Sequence, residues 1–365
     1  MKAVAVLVAI FALALLMIPM IALNFEATPA SGVQVAVHSP LSDEPAVPNA
    51  MEKSPQQETV TAEPNSAKSE TAPATGAVEG VDIFRILDVG TGKVTEVSVR
   101  DYVRGAVAVE MPASFHTEAL KAQAVAAHTY ALAQHAAQQA SPDPDLQGAD
   151  FTADPVNRIG YITRQQALDF YGEEQAEMYW DKVCGAVDSV LDQVLVYEEE
   201  PIVAAYHAIS AGRTEDAGNV WSGSAPYLKP VESQGDYLAP DYNTQVSYTG
   251  DEVRQRILAV FPQADLSGEP DTWFGETLYS DSGYVLYVKV GGVEIQGKQL
   301  RQIFDLRSHN FEVSTDDGTF TFQVCGYGHG VGLSQYGADY LARQGSTYDE
   351  ILETYYTGAQ LVSTS

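Results

Sequence analysis

A proline at position 112 separates two stretches of helical pattern and fixes where the first must end. Pro112 disfavours the helical region for Met111, so the helix predicted over Asp101 to Val109 stops about there. Glu118 to Gln139 is rich in Ala and Gln, and its apolar positions recur at helical spacing. Its small side chains indicate close packing against a neighbour. The sequence therefore predicts two helices here, with Glu110 at the end of the first.

The rest of the C-terminal part alternates short hairpin patterns with helical ones. Hairpins are predicted over Val81–Val99, Val187–Ile209, Thr277–Ile295 and Phe311–Val324, and further helices over Thr163–Val183, Thr249–Phe261, Gly297–Phe304, Ser334–Gln344 and Tyr348–Tyr356. No regular β-α-β alternation is visible. The predicted fold class is therefore α+β, with helices and β-hairpins mixed around a substrate cleft.

The amino terminus carries an uninterrupted apolar run from Ala3 to Leu23. About 20 apolar residues at ~1.5 Å each cross the ~30 Å hydrocarbon core. A cleaved signal peptide is the alternative, although its apolar region usually spans only ~7–15 residues. Lys2 precedes the run and Lys53 is the next positive residue, which places the short amino end in the cytoplasm. Residues 1–23 are predicted to form a single-pass anchor, with the remainder extracytoplasmic.

Composition divides the remaining chain into a linker and a folded domain. Residues 24–80 are rich in Pro, Ser, Thr and Glu, with Phe25 as the one aromatic residue, which predicts a disordered tether. Residues 81–365 form the predicted extracytoplasmic domain. The sequence leaves open whether residues 249–310 form a separate lobe.

Charge and cysteine content exclude several classes of partner and cofactor. The net charge of −29 argues against nucleic acid as a partner and predicts repulsion from anionic lipid headgroups. Any membrane attachment must then be hydrophobic. Cys184 and Cys325 either form one disulfide or remain two buried thiols. No spacing typical of a metal site is present, so neither a metal nor another cofactor is expected.

Glu110 is the candidate catalytic residue. It is flanked by Ala106, Val107, Val109 and Met111, which should partly desolvate its carboxyl group. Desolvation raises the pKa of a carboxyl group, as an acid catalyst working near neutral pH requires. Considered alone, Glu110 is better explained as a cap of the next helix or as a solvated loop residue.

Three ordered blocks change that assessment. The first runs from Glu110-Met-Pro112 through Ser114-Phe115 to Glu118 and Tyr130, the second is Tyr206-His-Ala-Ile-Ser-Ala-Gly-Arg-Thr-Glu215, and the third is Gly326-Tyr-Gly-His-Gly-Val-Gly-Leu-Ser-Gln-Tyr-Gly-Ala338. Together they resemble the signature of the stage II sporulation protein D family, the sporulation lytic transglycosylases. The chain departs from that pattern at Ala208, at Ala211 and at His128, where the family usually has an arginine.

The resemblance implies a membrane-anchored lytic transglycosylase that cleaves the MurNAc-GlcNAc bond of peptidoglycan during sporulation and engulfment. Glu110 would serve alone as general acid and then base, so that the muramoyl 6-hydroxyl closes onto its own anomeric carbon and leaves a 1,6-anhydro end. The family prefers denuded glycan strands and works beside an amidase/endopeptidase partner. The alternative is a non-catalytic amidase enhancer that binds the wall.

The first two blocks supply candidate substrate-binding residues. Arg213 either binds the lactyl carboxylate of a muramic acid or forms a salt bridge within a structural loop. Ser210 supplies a hydroxyl donor beside it, and His207 is either a substrate contact or a core histidine. Lys121 and Gln123 either reach the cleft or occupy a helix face.

The third block is a glycine-rich loop followed by polar residues. Alternating glycines allow positive φ or close approach of another backbone. They would let His329, Ser334 and Gln335 point into a cleft, where Tyr327 offers an aromatic face to a sugar ring. The alternative is a tightly packed turn.

Overall fold

The computed structural model describes residues 78–221 and 225–364, and all of them lie in one compact unit. The predicted anchor and nearly all of the predicted tether lie outside these residues. Within the described ranges, no helix combines the length and the apolar character needed to cross a bilayer.

The described chain mixes helices with short strands, which confirms the α+β class. The helices are α1 (Val99–Glu110), α2 (Thr117–Ala140), α3 (Arg164–Tyr171), α4 (Ala176–Asp188), α5 (Ala217–Val220), α6 (Gly250–Val260), α7 (Gly297–Ile303), α8 (Gln335–Arg343) and α9 (Tyr348–Tyr355). Short 3-10 turns cover Pro144–Leu146, Gln234–Leu238 and Pro270–Thr272.

The strands form small sheets rather than one large sheet. They are β1 (Ile83–Asp88), β2 (Lys93–Ser98), β3 (Phe151–Ala153), β4 (Gln193–Tyr197), β5 (Glu200–Pro201), β6 (Tyr206–His207), β7 (Asn243–Thr249), β8 (Phe274–Tyr279), β9 (Val285–Val290), β10 (Val293–Gln296), β11 (Phe311–Asp316), β12 (Thr319–Cys325), β13 (Leu333–Ser334) and β14 (Gln360–Ser363). Their orders are β2-β1-β3, β10-β9-β8, β11-β12-β7, β13-β6 and β14-β4-β5.

Helices α1 and α2 confirm the prediction made from Pro112. The side chain of Ser98 caps α1 by accepting the amide hydrogen of Asp101 at 3.1 Å. At the other end Met111 is extended, with φ −125° and ψ 134°, as a residue before proline prefers. Helix α1 therefore ends at Glu110.

Helix α2 lies at the centre of the larger hydrophobic core. Most of its alanines are buried, and it packs against α1, α4, α8, α9 and β4. The small side chains of these alanines let the neighbours approach from several directions. This confirms the close packing that the alanine-rich sequence predicts.

Two element predictions are wrong. The single helix expected over Thr163–Val183 is two helices, because Gly172 ends α3 at φ 80°, outside the helical region. The hairpin expected over Val187–Ile209 is reduced to β4 and the two-residue β5, since α4 continues to Asp188. The rest of that stretch leads to β6, which pairs in parallel with β13 from far along the chain.

The hairpins over Thr277–Ile295 and Phe311–Val324 are confirmed as β8-β9-β10 and β11-β12. They belong to a second hydrophobic cluster. Trp273, Phe304, Phe320 and Phe322 are its large buried side chains, and β7 completes the sheet by pairing with β12. The question that the sequence leaves open, whether residues 249–310 form a lobe of their own, stays open.

Candidate active site

Glu110 occupies the last position of α1, where the chain turns away at Met111. Burial raises the pKa of its carboxyl group from 4.5 to about 7, and a hydrogen bond from Gln335 acts in the opposite direction. No other carboxylate in the described part of the chain contributes to this shift. A carboxyl group in this state is protonated in a large fraction of molecules near neutral pH.

Two buried glutamine side chains extend from this carboxyl group. The Gln335 Nε2 lies 3.4 Å from Gln123 Oε1, and both residues are almost completely buried. Gln335 begins α8 and Gln123 belongs to α2, so the contact joins two of the sequence blocks. Gln123 Nε2 has no hydrogen-bond partner among the described residues. The structure thus brings two predicted site residues to the predicted acid.

Three tyrosines surround Glu110. Burial raises the pKa of Tyr102, Tyr130 and Tyr206, and the negative charge of Glu110 raises each further. The rings of Tyr130 and Tyr206 are 6.5 Å apart, and both side chains are partly exposed. Sequence reasoning missed all three as site residues, although Tyr130 and Tyr206 belong to the blocks that carry the resemblance.

The glycine-rich loop brings the second and third blocks together. Gly326, Gly328, Gly330 and Gly332 all have positive φ. A Cβ on Gly332 would lie 2.0 Å from the carbonyl oxygen of Ala205. Glycine at this position therefore permits the approach that pairs β13 with β6 and holds Tyr206 beside the acid.

Two predicted contact residues, His207 and His329, are held within this loop packing. His207 Nδ1 donates to Val331 O at 3.1 Å, and burial lowers its pKa to about 4. His329 Nδ1 accepts the amide hydrogen of Val331 at 3.1 Å, while its ring also bonds to the backbone of Tyr206. Burial holds the pKa of His329 well below its usual value. Both rings are therefore neutral at pH 7 and position the loop.

Ser210 and Ser334 are fully buried and both hydrogen-bond to Asp236. Ser334 Oγ lies 2.6 Å from Asp236 Oδ1, and Ser210 donates through its hydroxyl and, at 3.0 Å, its amide. Burial raises the pKa of Asp236, and these hydroxyl donors oppose that rise. Sequence reasoning missed Asp236, because it lies in an irregular stretch outside the blocks. Contact of either serine with substrate stays a prediction.

The remaining predicted residues lie further out. The Arg213 guanidinium faces Glu232 at 3.7 Å, and Lys121 Nζ pairs with Glu118 at 2.7 Å. Tyr327 is 46% exposed, so its ring is accessible to a ligand. The structure does not bring these three to Glu110 through any direct contact among the described residues.

His128 stands where an arginine was expected, and it is a core residue. It is 3% exposed and hydrogen-bonds to the backbone of Leu191 and Gln193. Burial lowers its pKa to about 4. Its role is to hold the turn before β4 against α2. Cys184 and Cys325 are both free thiols.

Comparison with known proteins finds relatives over most of the chain. A family model described as Stage II sporulation protein matches residues 88–197. Stage II sporulation protein D of Bacillus amyloliquefaciens is 34% identical over 73% of this chain and 75% of its own length. The protein of the same name from Bacillus subtilis (strain 168) is 32% identical over 83% of this chain and 84% of its own.

A more distant relative has a different name. The Amidase enhancer of Bacillus subtilis (strain 168) is 26% identical over 72% of this chain and 40% of its own length. The relatives thus carry two descriptions, a stage II sporulation protein and an amidase enhancer.

Proposed function

The chain belongs to the stage II sporulation protein D family, whose role is in sporulation, and from this premise we propose that it is a lytic transglycosylase. Its substrate is the MurNAc-GlcNAc bond of denuded peptidoglycan strands, and its product carries a 1,6-anhydro end. Glu110 is the single general acid and base.

The state of Glu110 carries this proposal. Hydrolysis with two carboxylates requires a second acidic group flanking the bond. Here burial and Gln335 account for the pKa of about 7, and no second carboxylate of the described chain contributes to that pKa. A lone carboxyl group with that pKa suits a reaction in which one residue first gives a proton and then accepts one.

The reaction transfers two protons in turn through one carboxyl group. Glu110 donates its proton to the glycosidic oxygen as the bond to the muramoyl anomeric carbon breaks. The resulting carboxylate takes the proton of the muramoyl 6-hydroxyl, whose oxygen bonds to that carbon, so Glu110 ends protonated. The bond from Gln335 favours the ionised form and fixes the orientation of the carboxylate between the two transfers.

Product analysis tests the proposal. The full chain is incubated with denuded glycan strands, and the released fragments are weighed by mass spectrometry. Anhydro ends are ~18 Da lighter than hydrolysed ends because one water is missing. They are expected with the wild-type chain and not with Glu110→Gln. Hydrolysed ends, or no products while the wall is still bound, would contradict the proposed activity.

The second candidate function is stimulation of an amidase without catalysis, and the similarity to an amidase enhancer favours it. A stimulator has no use for a carboxyl group held near pKa 7. If Glu110→Gln raises the rate of a sporulation amidase on intact walls as well as the wild-type chain does, while neither produces anhydro ends, this second function is correct.

We further propose that the protein is held in the cell membrane by residues 1–23, with the domain outside, and acts beside an amidase/endopeptidase. The length of the apolar run and the position of Lys2 support the anchor. Removal of stem peptides by such a partner would supply the denuded strands.

A further inference from the structure

Two arginines near the glycine-rich loop have no acidic partner. Arg301 lies in α7, and Arg307 lies on the loop that precedes β11. Among residues 78–221 and 225–364, neither guanidinium has a carboxylate within 4.0 Å. The nearby Asp305 faces Arg256 instead. In the described part of the chain the exposed Arg85 and Arg158 also form no ion pair, but Arg301 and Arg307 are half-buried, so their unpaired charges require an explanation.

The few contacts of these guanidinium groups leave most of their donors unused. Arg301 Nε donates to Leu306 O at 3.2 Å. Arg307 Nε is buried without a hydrogen-bond partner in the described chain, and its guanidinium lies 4.2 Å from the centre of the Tyr327 ring. A guanidinium has five N–H donors, and a buried donor without a partner destabilises the protein unless a ligand satisfies it.

Both arginines adjoin the proposed active site. Arg301 interacts electrostatically with Tyr327. Burial is the largest cause of the low pKa values of His207 and His329, and the positive charge of Arg301 lowers both further. Burial also raises the pKa of Tyr336, and Arg307 is the largest charge opposing that rise. Tyr336 directly follows Gln335, the donor to Glu110. Arg307 also lies beside the glycine-rich loop that leads to Gln335, since its carbonyl oxygen accepts the amide hydrogen of Gly328 at 2.9 Å.

The substrate supplies an anion of matching shape. A muramoyl residue without its stem peptide exposes the carboxylate of its lactyl group, whereas a muramoyl residue with a peptide has an amide there. A carboxylate accepts two parallel N–H bonds from a guanidinium. Arg213, the arginine that the sequence suggested for this role, faces Glu232 at 3.7 Å, and its Nε likewise has no hydrogen-bond partner among the described residues. It differs from Arg301 and Arg307 in having a carboxylate nearby.

We propose that Arg301 and Arg307 bind the lactyl carboxylate of a denuded muramoyl residue and thereby select strands from which the stem peptides have been removed. The inference rests on the proposed function for the identity of the strand. It adds the residues that distinguish a free lactyl carboxylate from one that carries a stem peptide. Local positive charge also offsets the repulsion between an acidic protein and a polyanionic strand.

Binding to two matched ligands tests the proposal apart from catalysis. The full chain carrying Glu110→Gln is titrated by calorimetry with a denuded muramoyl tetrasaccharide and with the same compound whose lactyl carboxylates are converted to methyl amides. The free carboxylate should bind roughly tenfold more tightly or better, because hydrogen bonds to charged groups are the stronger ones. Equal affinity for the two ligands would overturn the proposal without any further variant.

Arginine variants in the same background locate the preference. Arg307→Gln or Arg301→Gln should bring the ratio of the two affinities close to one. Arg307→Lys should retain part of the preference for the carboxylate ligand, because it keeps the positive charge and loses only the forked geometry of the guanidinium. Arg164→Gln is the matched control, since it removes an exposed arginine paired with Glu177. A ratio unchanged in both glutamine variants would assign the preference elsewhere and contradict the proposal.

The two proposals fail separately. If the wild-type chain releases no anhydro products but the Glu110→Gln chain prefers the carboxylate ligand through these arginines, the transglycosylase function is wrong and the binding site stands. If anhydro products form at the same rate from denuded strands and from their methyl amides, the activity stands and the selection by Arg301 and Arg307 is wrong.

Discussion

At the scale of single residues, Glu110 combines a position that the sequence predicts with a partner that it does not. Its apolar neighbours in α1 and the break at Pro112 predict a desolvated carboxyl group, and its pKa of about 7 agrees. Gln335 lies in another block, and nothing in either local pattern joins the two. Contacts of that kind depend on how distant segments pack.

The raised pKa of Glu110 predicts an effect of pH on stability. The folded state binds a proton on Glu110 more tightly than the unfolded state does. The contribution of Glu110 to the free energy of unfolding therefore falls as pH rises from 4.5 through about 7. Glu110→Gln removes the ionisation. The variant should be more stable than the wild type at pH 8, by up to about 3 kcal/mol, and nearly equal to it at pH 4. Urea unfolding at both pH values measures the difference, and an equal difference at both would contradict the assignment.

Gln335 predicts an effect on the pH dependence of the rate. Activity should fall as pH rises above about 7, because the acid form of Glu110 is lost. Gln335→Leu removes a bond that favours the ionised form, so the fall should move to higher pH while the maximal rate also drops. Initial rates between pH 5 and pH 9 give both values. Gln344→Leu, at the exposed end of the same helix, serves as the control and should leave the pH profile in place.

At the scale of elements, local signals account for most helices and hairpins, and long-range pairing accounts for the strand pair that the sequence pattern did not predict. Helical spacing and the Pro112 break predict α1 and α2 to within a few residues. The strand pair β6-β13 was missed because each strand has two residues and the partners are far apart. Such short strands lack the alternation that identifies a strand in a sequence.

Two helical glycines with different surroundings give a matched pair of variants. A Cβ on Gly105 of α1 would lie 2.0 Å from the carbonyl oxygen of Ile162, whereas a Cβ on Gly185 of α4 meets nothing within 4 Å. Gly105→Ala should therefore destabilise the protein by roughly 1–3 kcal/mol or more through overpacking. Gly185→Ala should stabilise it by up to about 1 kcal/mol, because alanine favours a helix. Chemical unfolding of both variants decides this, and equal effects would contradict the close approach at Gly105.

At the scale of the whole molecule, composition and the three blocks predict peptidoglycan as the substrate. The apolar amino terminus predicts that the chain acts outside the cell membrane. The acidic balance predicts that nucleic acid is not a partner. The order of the three blocks implies one site, and the fold brings residues of all three to it. The fold does so through the small sheet of β6 and β13, which the sequence pattern does not predict.

The proposed anchor makes a prediction about fractionation. The full chain should sediment with cell membranes and resist extraction by high salt, because its attachment is hydrophobic. A chain that begins at residue 78 should remain in the supernatant. Protease added to protoplasts should digest the domain of the full chain. Release of the full chain by salt, or protection from protease, would contradict the proposed topology.

The contact between Gln123 and Gln335 spans 212 residues of sequence, and this separation bears on when the protein becomes active. During synthesis the helix that ends in Glu110 is complete long before α8 exists. Until the last part of the chain has been made and folded back, the acid lacks both its donor and the strand that holds Tyr206. A truncated or unfinished chain is therefore expected to lack the proposed activity, which would arise only in the finished molecule.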